Sequence, residues 1–526
     1  MTDILIKNGQ VIDGSGVVGK FADVAIRGDQ IIDIGSLEGV KADQVIDAAG
    51  KIVSPGFIDM HSHHDMACLV NREADSLVQQ GITTVVSGQC GISPAPLSDE
   101  TRDQVLQMMA DDEFPIPWDR INSFASFLDM IEEFGTSVNI HQIVGQGMVR
   151  SAVMGYRADR PNEDQIEQMQ NIVSKAMDEG AIGISTGLIY PPGSYASIDE
   201  LIEVTKPVGE RGGIYFSHIR GEGDSLIDAI EEEIEIGRKT GAAIHHSHYK
   251  AAGQENWDQA ILGLELIDNA RSEGVSMTAD MYPYLAGGTG LMAILPEWAQ
   301  EGGFEDVAKR LTDPEVRRKM TDSMKNEGFF KIADWTKVLI PGSANPAYIG
   351  KYIAELADEA GKTPYDWIFD ALSETKGQTS MILFMMSEEN VKMQLPHPCM
   401  MIGTDGVGMP FEGPRAKGAP HPRSFGTYPK VLGKYVREEK VLTLEDAIRR
   451  MTGYPAETLG YSDRGFIRKG YKADLVIFDP ETIIDKADYV NPFQKPAGID
   501  YVLVNGRVVV NGGIHSHELP GVVISR

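Results

Sequence analysis

The chain has 526 residues, 42% of them hydrophobic and 24% charged, and its 77 acidic against 48 basic side chains leave a formal net charge of −29. That balance argues against nucleic acid or an anionic membrane as partner, since either needs a basic face. No run of about 18 apolar residues is available to span a bilayer. The length suits one large domain with additions, or two to three domains. Three cysteines, Cys68, Cys90 and Cys399, cannot make a disulfide framework. With an N-terminus that lacks a basic segment followed by an apolar core, they predict a cytoplasmic protein.

The two ends of the chain look alike. Asn8-Gly9 lies between apolar pairs, and Asn505-Gly506 between β-branched runs, each a type I′ hairpin signal. Residues 472–479 add a further strand. The ends, 1–54 and 456–526, are therefore expected to build one small β-sandwich together, with 55–455 inserted between them.

The middle alternates helices and strands. Asn162 can cap a helix whose Ile166, Met169, Ile172, Val173, Ala176 and Met177 share one face, stopped by Gly180. Ser197 caps a second helix ending at Gly212-Gly213, and a third, with Leu226, Ile227, Ile230 and Ile234, ends near Gly241. Strands are expected at 52–61, 82–87, 138–144, 181–190, 214–218, 242–248, 276–282 and 400–404. Eight strands alternating with helices predict an α/β fold, a (β/α)8 TIM-like barrel whose active site lies at the C-terminal ends of the strands. The long gap before the eighth strand predicts an inserted subdomain or lid at roughly 286–345.

Metal-competent residues recur at those strand ends. His61 and His63 close the first strand, spaced two apart so that both imidazoles face one side. Cys90 follows the second, His218 the fifth, His248 the sixth and Asp405 the eighth. A single histidine or cysteine at a strand end is more often core than ligand. Five strand ends delivering imidazole, thiolate or carboxylate to one barrel mouth predict a divalent metal site of the Zn²⁺ type. His64, His245 and His246 read as neighbours of the ligands, and His397, His515 and His517 as remote from the mouth. Cys68 and Cys399 read as buried thiols, and a supporting role behind the ligands is left open for Asp59 and Asp65.

These stretches, with Gly88-Gln-Cys-Gly-Ile-Ser-Pro-Ala-Pro96, Ser217-His-Ile-Arg220, Tyr282-Pro-Tyr284, Gly403-Thr-Asp-Gly406 and His421-Pro-Arg-Ser-Phe-Gly-Thr-Tyr-Pro429, resemble the amidohydrolase superfamily, and within it the N-acyl-D-amino-acid deacylases or D-aminoacylases. The resemblance covers essentially the whole chain. It implies that Cys90, His218 and His248 hold one tight zinc, that His61 and His63 form a second, weaker position, and that Asp405 between them is the general acid/base. It places Lys250, Tyr282 and Arg423, with Tyr190 nearby, on the α-carboxylate of a small N-acyl-D-amino acid. Relatives that prefer acidic D-side chains carry an arginine after strand seven. None lies between Tyr284 and Ala308 here, which favours a neutral or hydrophobic side chain. A cyclic-amide hydrolase of hydantoinase or dihydroorotase type is the alternative on the same fold, but its bridging lysine is missing from strand four.

Overall fold

The computed structural model describes residues 2–97, 116–326, 331–332 and 334–525. Its centre is a barrel of eight parallel strands: Phe57–Ser62, Ile82–Ser87, Asn139–Gln142 continued by Val144–Gly145, Gly183–Gly187, Ile214–His218, Ala243–His246, Met277–Met281 and Met400–Ile402. Each pairs with the next in parallel register. The ring closes where Asp405 donates its backbone N–H to His61 O at 2.7 Å and His63 donates to Gly406 O at 2.8 Å. The strands are buried on both faces, as helices packed outside a parallel sheet require.

The helices begin and end where local chemistry directs. Asn162 and Gln165 form a capping box that starts Glu163–Asp178. Ser197 accepts the Glu200 N–H to start Ile198–Glu210. Gly241, in left-handed conformation, ends Leu226–Thr240.

Two local readings change in the structure. The expected strand 52–61 is two strands broken at Gly56. Ile52–Pro55 runs antiparallel to Leu475–Phe478 in the terminal sheet, and Phe57–Ser62 starts the barrel. A side chain at Gly56 would meet Thr83 Oγ1 at 2.2 Å, so only glycine lets the chain cross there. The second change is at Asn8-Gly9, which makes no hairpin. Thr2–Val11 is one strand with a bulge there, Asn8 at φ 64°, and its partners shift register across it. The first half of that strand pairs in parallel with Ala42–Asp47 and the second half with Ile52–Pro55. Asn505-Gly506, by contrast, does form the tight turn between Ile499–Val504 and Arg507–Asn511.

Strands from both chain ends thus share one nine-stranded sheet. Its core joins Ile6, Val24 and Ile26 to Leu475, Ile477 and Leu503.

Between strands seven and eight lies a small three-stranded antiparallel sheet of Ala286–Gly290, Val338–Leu339 and Ser380–Phe384 with its own apolar core. The inserted unit therefore runs well past residue 345, because its central strand comes from residues 380–384. Residues 327–330 and 333 of the expected insertion lie outside the described residues. No helix among the described residues is long and apolar enough to cross a membrane.

Candidate metal centre

The strand ends bring Cys90, His218, His248, His61, His63 and Asp405 to one point at the barrel mouth. Three of them, Cys90 (φ 55°), His248 (φ 39°) and Asp405 (φ 49°), have backbones in the left-handed region, which costs a non-glycine residue about 1 kcal/mol or more. The turn after each strand swings the side chain inward over the mouth. Hydrogen bonds from other strands hold these conformations. Gly91 N–H donates to Ser185 Oγ at 3.1 Å, His248 N–H to Asp280 Oδ1 at 3.0 Å, and Asp405 N–H to His61 O. Gly187 has no room for a side chain, since one would lie 2.1 Å from the Cys90 carbonyl.

The donor atoms form two clusters that share Cys90. Its Sγ lies 3.5 Å from His218 Nδ1 and 3.6 Å from His248 Nε2, and those two nitrogens are 3.0 Å apart. On the other side Sγ lies 3.5 Å from His61 Nε2, while Asp405 Oδ1 lies 3.6 Å from His61 Nε2 and 3.1 Å from His63 Nε2. A tetrahedral Zn²⁺ with bonds of about 2.3 Å to sulfur and 2.0–2.1 Å to nitrogen spaces its donors about 3.3–3.6 Å apart. Most of these separations match that spacing, and the shortest pair in each cluster falls a few tenths of an ångström inside it. Burial, with Asp405 adding to it, pushes the Cys90 thiol well above its usual range, so a thiolate there needs a cation among these atoms.

Glu222 orients the first cluster. Its Oε1 lies 3.1 Å from His248 Nδ1 and 2.6 Å from Lys250 Nζ, all within a few per cent of full burial. Lys250 Nζ lies 2.7 Å from the same His248 Nδ1, so the ring edge away from Cys90 is held by this buried Glu222–Lys250 pair while Nε2 faces Cys90. Behind the first strand Asp280 bonds His245 Nε2 at 2.9 Å, and its Oδ2 stands 3.4 Å from His61 Nδ1. Below it, Asp59 accepts from Thr404 Oγ1 at 2.6 Å, Thr404 N–H at 2.8 Å and His61 N–H at 3.2 Å, tying strand one to strand eight. Burial outweighs those bonds and pushes the Asp59 carboxyl up to about 7.

Sequence reasoning missed Glu222 and Asp280 and left the role of Asp59 open. Asp280 and Asp59 had a usable signal, a charged residue inside an otherwise buried strand. His245, read as a bystander, is the partner of Asp280, and His246 pairs with buried Glu233 at 2.5 Å.

Asp405 sits under Arg423. Burial alone would raise its carboxyl, but the Arg423 guanidinium, His248 and His63 outweigh that and hold it well below the usual carboxylate range. Arg423 Nη1 approaches Asp405 Oδ2 to 2.6 Å at an angle that makes no hydrogen bond, so the Nη1 hydrogens stay unspent. Its Nη2 donates to Gly288 O at 3.2 Å, and the guanidinium lies over the Tyr282 ring, 4.9 Å from the centroid. Lys250 Nζ is 5.8 Å from the same ring centroid. Tyr190 rests edge-on against His218 and bonds through its hydroxyl to Thr289 Oγ1 at 2.8 Å. The four residues expected around a substrate carboxylate therefore line the same mouth as the metal donors.

A cavity beside the mouth has an apolar part, lined by Leu188, Ile189, Leu295, Trp298 and Leu383, and a polar part that includes Asp224, Glu255, Asn256 and Glu297. Arg220 also borders it, but its guanidinium is committed to Glu232 and to the Ser194 and Ala196 carbonyls. Cys68 and Cys399 are buried away from the donors, and His64 is buried with both ring nitrogens unpartnered.

Residues 44–202 and 276–510 match a family model described as the amidohydrolase family. The chain is 36% identical over its full length to a D-aminoacylase of Alcaligenes xylosoxydans xylosoxydans, covering 98% of that protein. It is 35% identical, again over its full length, to an N-acyl-D-glutamate deacylase of the same organism, covering 96% of it. Among solved structures, an N-acyl-D-glutamate deacylase from Bordetella bronchiseptica, complexed with zinc and a phosphonate mimic of the tetrahedral intermediate, aligns over all of both chains with a TM-score of 0.85 and 32% identity.

Proposed function

The chain belongs to the D-aminoacylase branch of the amidohydrolase family, and on that premise we propose that it hydrolyses the amide bond of N-acyl-D-amino acids with the help of zinc, releasing a carboxylate and a free D-amino acid. The observation that carries this reading is the convergence of Cys90 Sγ, His218 Nδ1 and His248 Nε2 at 3.0–3.6 Å beside the Asp405 carboxylate. Cys90, His218 and His248 would hold Zn²⁺, which would supply Lewis acidity toward the amide carbonyl and toward water. A second, weaker position is formed by His61, His63, Cys90 and Asp405.

The protein's own groups handle protons and orientation. Asp405, kept ionised by Arg423 and the nearby imidazoles, accepts a proton as water oxygen bonds to the carbonyl carbon. When the C–N bond breaks, the same carboxyl returns that proton to the departing amine. The unspent Nη1 hydrogens of Arg423, with Lys250 and the Tyr282 hydroxyl, receive the α-carboxylate, and Tyr190 closes the side next to His218. A substrate held at its carboxylate, its amide and its side chain makes a three-point contact that can separate enantiomers, and the kinship with D-aminoacylases favours the D-form. The apolar part of that cavity, its several carboxylates and the committed state of Arg220 favour neutral or hydrophobic D-side chains over acidic ones. The cavity's other cations, Lys331 and Lys337, are exposed, with Lys331 paired to Asp224.

We further read the chain as two units, a β-domain from 1–54 and 456–526 and the barrel from 55–455, acting in the cytoplasm. The fourth strand, Gly183–Gly187, has no lysine to bridge two ions, so nothing favours the cyclic-amide reading. Assays of N-acetyl-D-methionine and N-acetyl-D-phenylalanine beside their L-forms test the proposal. Turnover is expected for the D-forms alone, and equal or exclusive L-activity overturns it.

A further inference from the structure

Glu73, His515 and His517 meet at the end of the barrel opposite the mouth. Ser137, against which His515 packs, precedes the third barrel strand by two residues. The mechanism above uses none of these side chains. His515 is only 6% exposed, yet its Nδ1 has no hydrogen-bond partner. The neighbouring bonds decide which form of the ring is present. Ser137 Oγ donates its hydrogen to Glu518 O at 2.7 Å, so at its 3.3 Å contact with His515 it can only accept, from Nε2–H. Nδ1 is then a bare lone pair, buried and aimed at Glu73, whose Oε2 lies 3.8 Å away. His517 completes the set with its Nδ1 3.0 Å from Glu73 Oε1.

A lone pair facing a carboxylate is repulsive unless a cation stands between them. We infer that Glu73, His515 and His517 form a peripheral binding site for a divalent transition ion of the Zn²⁺ type, separate from the centre at the mouth. Two imidazoles and a carboxylate are a donor set that Zn²⁺ takes, with water free to complete its shell. The Ser137 hydroxyl fixes His515 as an outer partner fixes a ligating histidine.

The geometry is built by the fold rather than by chance at the surface. Ser516, between the two histidines, is pinned through its N–H to Val509 O and through its Oγ to Val508 O, both at 2.8 Å. His517 takes a left-handed backbone, φ 65°, that turns its ring back toward His515, the two centroids 5.4 Å apart. Asp75, whose buried Oδ1 is unpartnered, also acts electrostatically on His515, as does Lys495 with the opposite sign. A bound ion would tie the segment after the first barrel strand to the C-terminal tail, whose Val523–Ile524 adds a parallel strand beside Asn139–Gln142.

The test uses holoenzyme already loaded at the mouth, dialysed against micromolar Zn²⁺ and analysed for metal. Wild type is expected to hold one more ion per chain than His517→Ala or Glu73→Gln, or to bind it at least ten-fold more tightly. Added Zn²⁺ should raise its Tm by several degrees more than theirs. Both variants alter side chains that are about half or more exposed, so they fold, and their mouth residues are untouched. Equal zinc content and equal Tm shifts in all three proteins overturn the site, the His515 lone pair then being met by a proton.

Discussion

Arg423 Nη1 stands 2.6 Å from Asp405 Oδ2, and each side chain is less than a tenth exposed. One guanidinium thus keeps the carboxylate ionised while still holding hydrogens for a ligand. Replacing Arg423 with glutamine removes the charge, so the Asp405 carboxyl rises. A base acts in its deprotonated form, so the acid limb of kcat is expected to move to higher pH, by roughly one unit or more. KM should rise as well. A pH–rate profile whose acid limb stays in place would show that Arg423 does not set the ionisation of Asp405.

Asp405→Asn keeps the shape of the side chain but cannot accept a proton from water. Turnover is expected to fall by about 10²–10⁴-fold or more while zinc content stays that of the wild type. Metal analysis and kcat on one preparation decide the matter, and near-normal turnover would place the base elsewhere.

Cys90 lies between both clusters, so Cys90→Ala removes a donor from each. The variant is expected to purify without its tightly held zinc, and stoichiometric zinc in it would take Cys90 out of the ligand set. Chelation of the wild type should abolish activity, and Zn²⁺ should restore it.

Glu222 sets one carboxylate oxygen against both Lys250 Nζ and His248 Nδ1, and the cluster is nearly fully buried. Truncation in Glu222→Ala leaves Lys250 as an unpaired buried charge, a loss of about 3–5 kcal/mol in typical cases. Denaturant unfolding measures it. Zinc affinity should fall as well, by about 10–100-fold, because His248 and Lys250 lose the carboxylate that holds them in place. Unchanged stability and affinity would reduce Glu222 to a bystander.

Gly56→Ala tests the crossing between the two sheets. Its new methyl would overlap Thr83, and strain of about 1–3 kcal/mol is expected as a lower Tm with the metal centre intact.

Much of this architecture was legible from residues alone, where the deciding interactions are local. Helix caps such as Asn162 and Ser197 act within three residues, and the strands Ile82–Ser87 and Ile214–His218 follow from short runs rich in β-branched and aromatic residues. Metal-competent residues at strand ends stand out because a barrel puts all its strand ends at one mouth. Tertiary structure decided the rest. Asn8-Gly9 and Asn505-Gly506 are the same dipeptide, yet one is a bulge inside a ten-residue strand and the other a two-residue turn. What separates them is which strands lie alongside, and no local pattern records that. Glu222 and Asp280 were missed for the same reason, since a carboxylate becomes an orienting partner only when the fold brings an imidazole within about 3 Å. His515 and His517, dismissed by their position in the chain, gain interest only beside Glu73, more than four hundred residues away.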